Sequence, residues 1–276
     1  MSAAAPTAAV APGLDVRAAL AGGWRDLWRW PALTLLCLLG AMVAALALRA
    51  AAVRAGVLWN LALLDLAGGG ERFFGLAGRA LGVWLAGSGL GALVVDATRA
   101  AALVAYTGPP PPDRRPARLM RPLLVGLSRT PFMISVRAVE LLIYFTLGLG
   151  DLFVLARALP GTAPDPTRQA LATALCLLPS LALALVVFLG ARTAQLLIAR
   201  GFEPAPALAH GLDFALRRFG AVMRLALLGL VVTAPLVAAA LLSPFGLRAV
   251  LFAVAELWLY AALATLMGRD GRLVLG

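Results

Sequence analysis

Lysine is missing from this sequence altogether, and asparagine occurs once, at Asn60. All 24 basic residues are therefore arginines, set against 13 acidic residues and a single histidine, His210. Charged residues make up only 13% of the chain. A lone histidine cannot build a metal site without several partners, and none lie near it in sequence. Two cysteines, Cys37 and Cys176, lie inside apolar runs, where they behave as small apolar residues and imply no disulfide framework. There is no phosphate-loop pattern, no HExxH and no serine with a credible base. No reaction, cofactor or metal is therefore named by the chain, and the expectation is a protein that is not an enzyme. The lack of lysine and asparagine, beside abundant alanine, glycine and proline, points to a genome rich in G and C and to a bacterial origin.

What is present is apolar. Of the 276 residues 62% are hydrophobic, and the mean hydropathy is +0.93. A soluble domain does not carry that composition, whereas six membrane spans of about 20 residues with short connections account for it. The longest polar connection, Thr107 to Thr130, is too short to fold alone. The expected fold is all-α: a polytopic transmembrane helical bundle of about six spans, forming one membrane domain over residues 14–276. The preceding MSAAAPTAAVAPG has no basic region and no apolar core, so residues 1–13 are expected to be a short disordered lead and not a signal peptide.

The organising unit is clearest at Phe202 to Val237. There Ala207, Leu208, Gly211, Leu212, Ala215 and Leu216 recur at helical spacing, with His210, Asp213, Arg217 and Arg218 on the other side. That pattern predicts an amphipathic helix lying at the membrane surface. It feeds a charge-free run from Leu225 to Leu247, long enough to cross a bilayer. Leu14 to Trp30 has the same character, with Val16, Leu20, Trp24, Leu27 and Trp28 opposite Asp15, Arg17, Arg25, Asp26 and Arg29; it runs into Pro31 and the span Ala32 to Val53. A second copy is read at Leu119 to Thr130, running into Pro131 and a span to Leu149. The closing ends also match: AALVAYTG from Ala101, AQLLIARG from Ala194 and AALATLMG from Ala261. Three interfacial helices in a threefold internal repeat are therefore expected, with units near 14–108, 109–201 and 202–276.

Between spans one and two, Arg54 to Gly78 reads as an interfacial segment, with a re-entrant loop as the alternative. Span two covers Arg79 to Tyr106, and GPPPPDRRPARLMRP follows as a stiff basic linker. Asp151 to Arg168 reads as a turn-rich loop. Span four is Gln169 to Ala199, span five Gly220 to Leu242, and span six ends near Gly268.

Arginine counts orient the chain. One side holds Arg17, Arg25, Arg29, Arg114, Arg115, Arg118, Arg121, Arg129, Arg200, Arg217, Arg218, Arg269 and Arg272, which is 13. The other holds Arg49, Arg54, Arg72, Arg79, Arg157, Arg168 and Arg248, which is 7. Both termini are therefore expected in the cytoplasm of a bacterial inner membrane. Arg25, Arg29, Arg129, Arg217 and Arg218 are placed to meet anionic lipid headgroups, so membrane lipid is an expected partner. The net charge of +11 is a topology signal. Nucleic acid is a poor partner, because the arginines flank spans and do not cluster on a soluble face.

Seven ionisable residues fall inside spans: Asp96, Arg99, Arg137, Glu140, Arg192, Arg224 and Glu256. Charges there are costly and face the bundle interior, paired. Asp96 with Arg99, and Arg137 with Glu140, are three apart and share a helix face. At 1.5 Å per residue, Asp96 and Glu256 lie about 18 Å from the cytoplasmic ends of their spans and Arg99, Arg192, Arg137 and Glu140 roughly 9 to 14 Å in. The seven are expected to form one layer, four arginines against three acids. That layer either fixes helix register or serves as a ligand or proton site.

The stretch GFEPAPALAHGLDFALRRFGAVMRLALL, from Gly201 to Leu228, resembles a loose group of bacterial polytopic proteins that includes the membrane domain fused to some glycerophosphodiester phosphodiesterases. Carrying the likeness are a glycine, an acidic residue, an alanine-rich amphipathic turn, and aromatic or basic residues before an apolar run. No phosphodiesterase catalytic domain accompanies it. The resemblance implies membrane architecture and no chemistry. The expected roles are a scaffold or subunit working with lipid or a protein partner complex, or a small transporter, channel or permease subunit using the charge layer.

Overall fold

A computed structural model describes residues 15–108, 120–158 and 166–269. The lead, the proline-rich linker from 109 to 119, residues 159 to 165 of the expected turn-rich loop and the tail after Arg269 lie outside the described residues. Eight helices follow in order: α1 (Val16–Arg29), α2 (Pro31–Ala67), α3 (Phe73–Thr107), α4 (Met120–Ala158), α5 (Pro166–Arg200), α6 (Pro204–Arg217), α7 (Phe219–Leu242) and α8 (Phe245–Arg269). Among the described residues there is no strand. Six of the helices, α2, α3, α4, α5, α7 and α8, are long and apolar enough to cross a membrane. The fold is an all-α bundle.

The boundaries follow local chemistry. Asp15 caps α1, its side chain accepting the Ala18 N–H at 3.1 Å. The helix stops at Trp30, held out of helical geometry (φ −125°, ψ 58°) because the ring of Pro31 crowds it. Pro31 then opens α2, where a missing N–H is harmless. α2 runs on to Ala67, so Arg54 to Gly78 is not a re-entrant loop but the end of α2, a turn and the start of α3. Nothing in Val57–Leu66 breaks a helix; the breakers come only at Gly69 and Gly70, both with positive φ. Asp65 Oδ2 closes that turn on the Arg72 N–H at 2.8 Å. Asp151 to Ala158, expected in a loop, continues α4. After α5, Gly201 (φ 114°) ends the helix, with the Phe202 N–H bonded to the Leu197 carbonyl at 3.1 Å.

The segment read as the second surface helix is not separate, because α4 continues through Pro131 without a break. A proline inside a helix removes one backbone donor, and helices in apolar surroundings tolerate this when neighbours compensate.

α3, α5 and α8 touch one another pairwise, α2 contacts both α3 and α8, and α4 contacts both α3 and α5. The core lies at the C-terminal ends of α3, α5 and α8. Leu103, Leu196, Leu197, Ile198, Leu263, Leu266 and Met267 are fully buried there, within the three segments whose sequences match.

The leading helices pack on those ends through glycine. α1 packs on α8, α6 on α5, and the start of α4 on α3. A Cβ at Gly126 would strike the Ala101 backbone, and one at Gly211 would strike the backbone of Gly190 and Ala194. At Gly23 it would meet the Ala262 N–H at 2.5 Å. Each contact lets two backbones approach to a distance that any side chain forbids. This reverses part of the face assignment on α1: Ala19, Gly22 and Gly23 are buried, while Trp24 and Trp28 turn outward and pair edge to face at 5.9 Å. On α6 Phe214 is buried and Leu216 is exposed.

Candidate functional site

Four helices deliver a connected set of charged side chains to the bundle interior. α3 carries Asp96 and Arg99, α4 Arg137 and Glu140, α5 Arg192, and α8 Glu256. Asp96 Oδ1 accepts from Arg137 Nη1 at 2.7 Å and from Arg99 Nη1 at 3.2 Å. Arg99 Nη2 donates to Glu256 Oε2 at 2.5 Å. Arg192 Nε stands 3.9 Å from Glu256 Oε1, and its Nη1 donates to Glu140 Oε2 at 3.2 Å. The chain of contacts therefore runs Arg137, Asp96, Arg99, Glu256, Arg192, Glu140 and crosses all four helices.

Six of the seven sequence candidates meet here. Arg224 does not: it is exposed on α7 and has no hydrogen bond or ion pair among the described residues. It sits five residues from the start of α7, near enough for its long side chain to reach the boundary of the apolar layer. The interior therefore holds three arginines against three carboxylates, not four against three. The pairing also differs from the expectation on α4. Among the described residues no bond joins Arg137 to Glu140; each reaches a neighbouring helix instead, Arg137 to α3 and Glu140 to α5. Asp96 with Arg99 is made within one helix.

Burial is uneven. Asp96 is 1% exposed, and Arg99, Glu140 and Arg192 are also buried. The side chains of Arg137 and Glu256 are 25% and 29% exposed. Taking an ion pair out of water costs several kcal/mol per ion unless partners are well placed, so cross-helix pairing is what permits charge at this depth.

Uncharged residues missed in the sequence complete the layer. Tyr144 donates its hydroxyl to Glu140 Oε1 at 2.9 Å. Arg192 Nη1 also donates to Gln195 Oε1 at 3.4 Å, and the fully buried Tyr260 hydroxyl donates to the same oxygen. Arg99 and Arg192 lie 5.5 and 5.8 Å from the centre of the Tyr260 ring, and Arg192 lies 4.5 Å from that of Phe188, within cation–π range. A signal was available: Tyr144, Gln195 and Tyr260 stand four, three and four residues after Glu140, Arg192 and Glu256, on the same helix faces.

A cavity of about 280 Å³ lies between α2, α3 and α8. Its walls are mostly small and apolar, chiefly Ala41, Ala44, Ala45, Gly91, Ala92, Ala249 and Ala253, and among the described residues the ionised side chains lining it are Arg137 and Glu256. Ser88 also lines it, and its buried Oγ has no hydrogen-bond partner among the described residues.

The expected lipid-facing arginines are spread over the leading helices. Arg25 and Arg29 on α1 are exposed, with Arg29 paired to Asp26 at 3.0 Å. Arg217 on α6 is exposed and paired to Asp213 at 2.5 Å. Arg218, in the break between α6 and α7, and Arg129 on α4 are half-buried. His210 is exposed, 6.1 Å edge to face from Phe202.

No family model, no curated protein and no solved structure matches this chain.

Proposed function

We propose that the chain is a non-enzymatic protein of a bacterial inner membrane, a scaffold or subunit that works with lipid and a protein partner. The observation that carries this reading is unequal helix length. α7 and α8, at 24 and 25 residues, are each about 37 Å long, close to one bilayer. α2 and α3, at 37 and 35 residues, reach about 55 and 52 Å. Gly246, in the first turn of α8, approaches the side chain of Met42, so much of α2 after Met42 is read as extending beyond the start of α8. The overhang exposes large apolar side chains, Leu64 at 70% and Phe74 at 85% with Trp59 and Leu66 exposed too, beside a few polar ones, Arg54, Asn60, Glu71 and Arg72. An apolar surface of that extent is covered by membrane or by protein, and a protein partner at the hairpin tip would cover the part that lies beyond the apolar layer.

The orientation, with both termini cytoplasmic, rests on the arginine balance. A threefold repeat is supported by the glycine contacts, in which each leading helix seats on the closing segment of another unit. The likeness to membrane domains of glycerophosphodiester phosphodiesterases enters at this level only, as shared architecture. The test is purification of the tagged protein from native membranes in mild detergent, followed by mass spectrometry. A stoichiometric companion, lost on Leu64→Ser with Phe74→Ser, supports the reading; no companion at any detergent strength removes it.

A second reading, a small transporter or permease subunit, is favoured by the cavity that reaches Arg137 and Glu256. Flux through reconstituted vesicles, compared with the Asp96→Asn, Glu256→Gln variant, tests it.

A further inference from the structure

We propose that the cavity between α2, α3 and α8 binds the zwitterionic head of a small molecule, its anionic group on Arg137 and its cationic nitrogen on Glu256. This goes beyond the partner reading and stands or falls without it.

Three observations carry the assignment. Arg137 and Glu256 are the partly exposed members of an otherwise buried set, and both line the cavity. Each has bonding capacity left over. A guanidinium has five N–H donors, and among the described residues Arg137 uses one, to Asp96. Glu256 accepts through Oε2 from Arg99, while its Oε1 has only Arg192 at 3.9 Å, beyond hydrogen-bond reach. An unused donor and an unused acceptor of opposite charge at one space is the arrangement expected of a binding site, since polar groups away from water seek partners.

Charge decides the ligand class. Three arginines face three carboxylates, so the layer is neutral as a whole. A ligand of net charge would leave an uncompensated ion against apolar walls, which is costly, whereas a zwitterion satisfies both partly exposed ends and adds none. Size narrows it further. The cavity of about 280 Å³ has room for a small head with a short apolar group against alanine. A free amino acid and the head of an ethanolamine phospholipid both fit this chemistry.

The test uses the full chain in nanodiscs of phosphatidylglycerol, and two probes. Equilibrium binding of radiolabelled leucine is measured against its singly charged analogues, leucine amide and 4-methylpentanoate. Separately, phosphatidylethanolamine is titrated into the discs and bound lipid is counted by native mass spectrometry. The Ala253→Phe variant fills the cavity from α8 while leaving every charged residue in place, and its melting temperature reports that it is folded. Expected is saturable binding of one zwitterion, at least tenfold weaker for the singly charged analogues and at least tenfold weaker in Ala253→Phe. Leucine binding identifies a free zwitterion, and selective phosphatidylethanolamine retention identifies a lipid head. Binding of neither probe, equal binding of a singly charged analogue, or undiminished binding by folded Ala253→Phe overturns the proposal.

Discussion

At the end of the bundle where α1 and α6 pack, helices meet through glycine and through buried ion pairs; at the other end, the α2–α3 hairpin stands with its leucines and aromatic rings exposed. Apolar side chains are abundant at both ends, so hydrophobicity does not separate them. In hydrocarbon it could not, because lipid tails are as apolar as leucine. Close backbone approach and partnered polar groups do the holding. Gly126, Gly211 and Gly23 sit where a Cβ would strike backbone, whereas Gly82 and Gly148 have nothing within 4 Å of that position. At these positions the same residue type is a clamp in one place and an inert helix position in another.

That contrast breaks first at the clamps. Gly126→Leu or Gly211→Leu drives a side chain into backbone that cannot move aside, and should cost more than about 3 kcal/mol, the upper range of ordinary overpacking. Monodisperse protein in detergent should be lost. Gly82→Leu and Gly148→Leu, tested alongside, should melt no lower than wild type, since both replace a poor helix former at an open position. Equal damage from both pairs would show that glycine contacts are not what distinguishes the two ends.

The charge layer ranks next. Arg99→Met strips cationic partners from Asp96 and Glu256 together and should cost about 3 to 5 kcal/mol, the usual penalty for orphaning buried charge. Adding Glu256→Gln should restore part of it, read as a rise in melting temperature of the double variant over the single. A double variant less stable than Arg99→Met would mean that Glu256 does not depend on Arg99.

Six spans and the buried charges were legible because both leave strong one-dimensional traces: long uncharged runs, and rare ions inside them. The three closing segments were legible for the same reason, as short recurrent strings. Partners were not. Arg137 and Glu140, three apart, invited an intrahelical pair, but their bonds lead to α3 and α5, and no spacing rule states which helix stands beside which. Arg224 has the same sequence setting as Arg192 yet lies on the outside, because which side of an apolar helix faces inward is weakly marked when all sides are apolar. The α2–α3 hairpin was misjudged through a length rule: a span was ended at the thickness of one bilayer, while the backbone had no reason to stop before Gly69.

At the exposed hairpin the effect on folding should be small. Leu64→Ser with Phe74→Ser removes no contact that the core uses, and the change in melting should stay within about 0.5 kcal/mol in detergent. A large loss would place the tip within the folded core and remove its claim to be an interaction surface.

Arg224→Gln gives the finest test, because it asks what a charge does outside the layer. Were Arg224 part of the buried network, its removal would unbalance three pairs and cost as much as Arg99→Met. As an exposed cation it contributes only through anionic headgroups, worth about 1 kcal/mol for each arginine near the surface. Melting should therefore be unchanged, while phosphatidylglycerol retained in native mass spectrometry should fall by roughly fivefold in apparent affinity, the equivalent of that energy. A drop in stability with no change in bound lipid would return Arg224 to the interior, and the layer would then carry a surplus positive charge suited to an anion and not to a zwitterion.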